Sequence, residues 1–248
     1  MRLARFKCLS GFVFGLLLAA QVWAQTVRTP NADQPGNNPP VTAEKETVEE
    51  NPYFKVFRLQ IPAGTTKTFE FHERDAVLVS LGENLGLITY KPYESASLEN
   101  GDVRFLPIGS VVHLLNTGNS AVFALIAELK QHWEPPMRTC SEPAKCAHPI
   151  RMGESVIGET TSLFTNGFVT AYQHRIDPGA TLESSYFSAK GKDHLLLIAL
   201  TDLNGNFDGS DESLKAGQTY TSEATEVEVN AGKSPTRWIV LRMETLSH

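Results

Sequence analysis

Short runs of apolar and β-branched residues, separated by turns rich in Gly, Asn and Pro, follow one another from residue 51 to the end of the chain. Within one such run Phe69 and Phe71 alternate with Glu70 and His72, which is the period of two expected of a strand. No stretch shows the helical periodicity of 3.6 residues. The pattern predicts an all-β fold of the sandwich or barrel type.

The chain also resembles itself at an offset of about 115 residues, which is typical of a duplicated domain. Four segments recur in the same order: 58–64 as 173–179, 75–81 as 193–200, Leu98 and Gly101 as Leu214 and Gly217, and 116–120 as 230–234. Each copy ends in a comparable strand, at 122–129 and at 237–243. We therefore expect the same domain to occur twice.

Two motifs in the first copy resemble those of the cupin superfamily. Pro62-Ala63-Gly64, the segment 70–75 and Gly82 resemble the first cupin motif, and the segment 101–109 with His113 and Asn116 resembles the second. The resemblance implies two tandem cupin barrels, each a jelly roll (double-stranded β-helix). The expected boundaries are 51–130 for the first barrel, 131–160 for a connection and 161–248 for the second barrel.

The resemblance further implies a metal site in the first barrel, where cupins use three His and one acid facing inward. Its candidate ligands here are Glu70, His72, Asp75 and His113, for one Mn or Fe ion. Glu70 stands at the position of the first family His, and Asp75 keeps the family distance from Gly82. His113 lies one residue beyond the family position, so it faces inward only if a β-bulge precedes it.

The competing interpretation is a polar cluster without metal. In it, His72 is hydrogen-bonded to a carboxylate and Arg74 is paired with an acid near the mouth of the barrel. Carboxylates gathered without a metal raise each other's pKa, so Arg74 or water would have to compensate.

The second copy lacks corresponding ligands. Ser185 stands in the segment that matches Glu70 and His72, and the segment 225–229 contains no His. His174 and His194 have no ligand partners at useful spacing, so both are interpreted as strand histidines. We predict that the second barrel holds no metal.

The N-terminal fifty residues indicate export. Arg2, Arg5 and Lys7 precede an apolar run and a Val22-Trp23-Ala24 cleavage site, which is the layout of a secretory signal. Residues 1–24 are therefore predicted to be a signal peptide and 25–50, which are polar and Pro-rich, a disordered linker. The expected location is secreted or periplasmic, with no membrane association after cleavage.

Charge and cysteines narrow the function further. Loss of three basic residues with the signal changes the formal net charge from −6 to −9, which argues against nucleic acid as a partner. Cys140 and Cys146 remain in an oxidising compartment, where a disulfide between them is expected. Zinc binding by the pair with His148 is the alternative.

No motif for a serine hydrolase, a phosphate loop or a zinc protease occurs. The segment 204–209 resembles the start of a calcium loop, but Lys215 stands where a closing Glu belongs, and a hairpin with an Asn-Gly turn explains it.

Two functional hypotheses follow. The first is an exported small-molecule-binding or structural bicupin with a degraded metal site. The second is a Mn- or Fe-dependent dioxygenase, decarboxylase or isomerase that acts on a small acid or sugar in the first barrel. We favour the first, and a homodimer is expected by analogy with cupins that pair through edge strands.

Overall fold

The computed structural model describes residues 45–90, 93–131, 138–140, 143–183, 193–222 and 227–243. All of them lie within Pro40–His248, which forms one compact unit. They form β-strands and one helix of four residues, so the predicted all-β class is confirmed. The predicted signal peptide and residues 25–44 of the predicted linker lie outside the described residues.

The described residues of the first copy form nine antiparallel strands. They are β1 Lys45–Glu50, β2 Phe54–Ile61, β3 Thr66–Glu70, β4 Ala76–Ser80, β5 Leu85–Tyr90, β6 Glu94–Leu98, β7 Val103–Leu106, β8 Val111–Asn116 and β9 Val122–Leu129. One sheet has the order β1-β2-β9-β4-β7 and the other the order β3-β8-β5-β6.

The second copy repeats this arrangement. Its elements are β10 Arg138–Thr139, α1 Pro143–Cys146, β11 Ala147–Met152, β12 Ser155–Thr165, β13 Val169–Ile176, β14 Thr181–Glu183, β15 His194–Ala199, β16 Leu203–Phe207, β17 Ser210–Leu214, β18 Thr219–Ser222, β19 Val227–Asn230 and β20 Thr236–Met243. The larger sheet has the order β10-β12-β13-β20-β15-β18, with β11 paired to β12, and the smaller sheet has the order β14-β19-β16-β17. The strand orders of the first copy recur among the strands from β12 to β20, and β10 and β11 are additional strands beside β12. The repeat found in the sequence therefore corresponds to a repeated fold.

Two predicted boundaries need correction. The linker was predicted to reach residue 50, but β1 pairs with β2, and its Val48 packs against the protein core. The connection was predicted to reach residue 160, but β11 and β12 belong to the larger sheet of the second copy. In both cases pairing with a neighbouring strand satisfies the backbone N–H and C=O groups of the segment.

The described residues of the two copies form three apolar cores. One fills the space between the two sheets of the first copy and includes Leu59, Leu87 and Val112. A second fills the second copy and includes Leu197 and Trp238. The third, which we call the shared core, joins the larger sheets of both copies. Its buried members include Phe54, Val56, Val77, Val79, Ala127, Phe168, Leu196, Ile198 and Leu241.

The shared core explains why β4 and β15 are apolar at successive positions. In β4, Leu78 faces the interior of the first copy, whereas Val77 and Val79 face the second copy. All five residues of β4 are buried. A strand that is buried on both faces loses the alternation of polar and apolar residues.

The described helix α1 is neither long nor apolar enough to cross a membrane. It ends at Cys146, which forms the predicted disulfide with Cys140; the Cα atoms are 6.2 Å apart. The bond closes a small loop at the start of the second copy.

Candidate functional site

Glu70 and His72 lie at the end of β3 with their side chains on the outer face of the first barrel. The side chains are 53% and 72% exposed, and His72 Nε2 lies 2.7 Å from Glu70 Oε2. The alternate residues Phe69 and Phe71 pack into the apolar core. Because residues two apart share a face of a strand, the two phenylalanines occupy the inward positions that the metal hypothesis assigned to Glu70 and His72.

His113 also lies on the outer face. The β3–β8 ladder runs from Thr66 opposite Leu115 to Glu70 opposite Val111 without a register shift, so the required bulge is not formed. His113 Nδ1 is hydrogen-bonded to Thr68 Oγ1 at 2.8 Å. Val112, at the family position, is fully buried in the core.

Asp75 is the one predicted ligand that is buried, with 2% of its surface exposed. Its Oδ1 accepts a hydrogen bond of 2.8 Å from the backbone N–H of Ile108. This bond ties the start of β4 to the turn that follows β7.

The four predicted ligands are therefore not brought together. Among the described residues, no group of three or more His, Cys, Asp or Glu side chains is placed to hold a metal ion. The inward positions around Val112 are apolar, and hydrocarbon side chains offer no ligand atoms for Mn or Fe. The residues of the first barrel do not fit the metal that the resemblance implied, and the predicted metal site is corrected accordingly.

Glu70 and His72 belong instead to an open groove of about 460 Å³, which we call the charged rim. Its lining residues are Lys45, Glu50, Lys55, Phe57, Glu70, Phe71, His72, Glu73, Arg74 and Glu128. Phe71 closes the apolar core beneath it. The rim thus places polar groups above a filled barrel.

Ion pairs neutralise much of the charged rim. Lys55 Nζ and Lys130 Nζ each lie 3.0 Å from a carboxylate oxygen of Glu50, and Lys45 Nζ lies 3.6 Å from Glu128. The hydrogen bond from Lys130, followed by that from Lys55, holds the pKa of Glu50 below its ordinary value. Lys45 also lies over the ring of Phe57, 3.5 Å from its centroid.

The predicted polar cluster is found in part. His72 is paired with the carboxylate of Glu70, as that interpretation expected. Arg74, however, makes no ion pair with any acid in the described part of the chain. Both residues border the charged rim, so they are available to a polar ligand at the surface.

The second copy contains a buried histidine whose importance the sequence did not reveal. His174 lies on β13 opposite Trp238 of β20, and the two rings stack with centroids 5.3 Å apart. Complete burial lowers the pKa of His174 to about 3, because desolvation disfavours the charged imidazolium. His174 is therefore neutral at physiological pH.

A second polar feature lies near the end of β18. Tyr220 and Ser222 both donate hydrogen bonds to the carboxylate of Asp208, at 2.8 and 2.9 Å. Burial, and then this hydrogen bond, raise the pKa of the Tyr220 hydroxyl above its ordinary value. Nearby, His194 stacks on Tyr53 of the first copy with ring centroids 3.6 Å apart.

The turn of the hairpin at 204–209 differs from the predicted Asn-Gly turn. The hairpin between β16 and β17 forms, but its turn residues are Asp208 and Gly209, with φ angles of 51° and 85°. Positive φ at both central positions favours an Asp-Gly pair. Asn204-Gly205, where the turn was predicted, lies within β16, and a Cβ at Gly205 would lie 2.0 Å from the carbonyl oxygen of Glu228.

Comparison with known proteins gives structural likeness only. No family model matches the sequence, and no curated protein matches it significantly. An IolB-like protein from Salmonella typhimurium superposes with a TM-score of 0.60 at 13% identity, covering 84% of this chain and 92% of the other.

Two further solved structures point to the same fold. A cupin 2 conserved barrel domain protein from Leptotrichia buccalis has a TM-score of 0.53 at 10% identity and covers 84% of this chain and 91% of its own. A Bacillus subtilis oxalate decarboxylase variant has a TM-score of 0.57 at 11% identity and covers 83% and 74%. These likenesses show that the chain has the cupin fold.

Proposed function

We propose that the protein is an exported cupin that binds a small molecule without a metal ion in its first barrel. One observation carries the proposal: the predicted ligands Glu70, His72 and His113 lie outside the barrel, while Phe71 and Val112 lie inside it. Substrate chemistry at a barrel metal needs donor atoms that converge on the cavity, and these residues diverge from it.

Binding is supported by the concave surfaces of the molecule. The charged rim combines paired charges with Arg74, which makes no ion pair with an acid in the described part of the chain, and this combination suits a polar ligand. Structures of the same fold range from oxalate decarboxylase to a hazelnut vicilin, so the fold itself selects neither catalysis nor binding.

Elemental analysis of the purified chain tests the proposal. Cells are grown in medium supplemented with Mn and Fe, and metal content is measured for the wild type, for His72→Ala and for His113→Ala. We expect less than about a tenth of a metal ion per protein chain, for either metal, in all three proteins. His148→Ala, at an exposed histidine outside the lining of the charged rim, controls for adventitious surface binding.

Stoichiometric Mn or Fe in the wild type that is lost in both His72→Ala and His113→Ala would overturn the proposal. That result would require β3 and β8 to turn their outer faces inward, and it would restore the enzyme hypothesis.

A further inference from the structure

A cleft between the two copies, which we call the inter-copy cleft, has a volume of about 270 Å³. Leu81, Asn100 and Phe123 line it from the first copy, and Leu200 and Ala216 line it from the second. Leu81 and Leu200 are equivalent positions of the repeat, as are Asn100 and Ala216. The cleft therefore lies where the two copies present matching segments to each other, and it shares no lining residue with the charged rim.

Arg58 supplies the positive charge of this cleft. Its side chain is half-buried on the face of β2 that carries Phe54 and Val56 toward the second copy. The Nη2 group donates a hydrogen bond to the carbonyl oxygen of Gly217. The Nε group is buried and has no hydrogen-bond partner among the described residues.

No carboxylate compensates Arg58 within the described ranges. The cleft lining described by the structure contains no acidic residue. Glu46 lies directly across the β1–β2 ladder from Arg58, but the two side chains form no ion pair. The guanidinium of Arg237 also lies close to the cleft. Its Nη2 atom is 3.5 Å from the carbonyl oxygen of Asn100, which is a lining residue.

A partly desolvated guanidinium is unfavourable unless an anion pairs with it, and its planar donors match the two oxygens of a carboxylate. Leu81, Phe123 and Leu200 in the lining are apolar, which suits a hydrocarbon body. Phe123 is 40% exposed, so the cleft is open to solvent on that side.

We propose that the inter-copy cleft binds a small organic acid, with the carboxylate on Arg58 and the apolar part against Leu81, Leu200 and Phe123. This inference rests on the proposed function as a binding protein and assigns the chemical class of its ligand. The cleft is separate from the barrel interior, so the ligand needs no metal.

Ligand-observed and protein-observed NMR titrations test the inference on the exported chain. The probes are acetate, hexanoate and benzoate, each compared with its neutral amide. We expect saturable binding of hexanoate or benzoate, with shifts at Leu81 and Leu200, and at least tenfold weaker binding of the matching amide.

Variants of the cleft test which side chain binds the carboxylate. Arg58→Gln and Ala216→Phe are each expected to weaken binding of the acid at least tenfold, the first by removing the charge and the second by filling the cleft. Ala216 is exposed, so Ala216→Phe keeps the test valid if Arg58→Gln does not fold. Arg104→Gln is the matched control, because Arg104 is paired with Glu94 at 3.0 Å and lies outside the lining.

Glu46→Gln refines the test, since Glu46 lies opposite Arg58 in the β1–β2 ladder, and its loss is expected to leave binding unchanged or tighten it. Three outcomes would overturn the inference. They are equal binding of acid and amide, unchanged binding in Arg58→Gln and Ala216→Phe, and no saturable binding of any acid. Tight binding of chloride or phosphate in place of the acids would also overturn it. Metal analysis is independent of these titrations, so failure of the metal-free proposal is distinguishable from failure of the cleft.

Discussion

At the scale of single residues, the contribution of a polar side chain to stability depends on whether it lies on the exposed or the buried face of its strand. Glu70 and His72 form a close pair, but both are largely exposed, and such surface pairs contribute little to stability. His174, by contrast, is buried against Trp238 and neutral. The buried histidine therefore affects stability more than the exposed pair does.

We expect His174 to make the protein sensitive to acid. Its pKa is about 3 in the folded chain and 6.5 in the unfolded chain, so below pH 6.5 the unfolded chain binds a proton that the folded chain does not. The free energy of unfolding should fall as pH decreases from 6.5 toward 3, by at most about 1.4 kcal/mol per pH unit from this group. Well above pH 6.5 His174 is neutral in both states, so its contribution to the free energy of unfolding no longer changes with pH.

Urea denaturation at pH 7, 6 and 5 measures this dependence. The His174→Gln variant should lose most of the slope between pH 6.5 and 5, whereas the exposed-face control His113→Gln should keep it. An unchanged slope in His174→Gln would contradict the assignment.

At the scale of elements, β8 carries inward and outward side chains in strict alternation. Val112 and Leu114 are fully buried, whereas His113 contacts Thr68 and lies edge-on to Tyr90 with ring centroids 5.4 Å apart. The unbroken β3–β8 register keeps this alternation over the whole pair.

Substitution of two adjacent residues tests that alternation. Val112→Ala removes buried methyl groups and should lower the free energy of unfolding by about 1–3 kcal/mol. His113→Ala should cost less than about 1 kcal/mol, because it removes one hydrogen bond at the surface. Chemical denaturation of both variants gives the comparison. A larger loss of unfolding free energy in His113→Ala than in Val112→Ala would show that His113, and not Val112, points into the core.

The sequence allowed a prediction of which side chains of β3 point into the barrel, but the spacing of the cupin motif led to the opposite assignment. Alternation alone places Phe69 and Phe71 on one face and Glu70 and His72 on the other, and burial of apolar surface favours the phenylalanines inside. The motif resemblance assigned the opposite face. Local hydrophobic pattern therefore predicted this strand better than spacing to a distant glycine.

At the scale of the whole molecule, the duplication was readable from the sequence because equivalent strands need similar apolar patterns and turns. Matching strand orders in the two copies agree with it. The continuous apolar runs at β4 and β15 fit burial on both faces, but these two strands lie more than a hundred residues apart in the sequence, so no local pattern identifies them as partners in the shared core.

The inter-copy cleft also depends on this long-range packing. Arg58 and Gly217 are separated by 159 residues, and only docking of the two copies brings the guanidinium to the Gly217 carbonyl. A sequence pattern within one copy cannot predict such a contact.

The central claim is that the interior of the first barrel is apolar and offers no metal site. Titration with paramagnetic Mn²⁺, followed by methyl NMR, tests it most directly. We predict that one equivalent of Mn²⁺ leaves the methyl signals of Val112, Leu114 and Leu87 unbroadened, since these residues line a filled core. Selective loss of those three signals at one equivalent, while surface methyl groups such as those of Val156 persist, would contradict it.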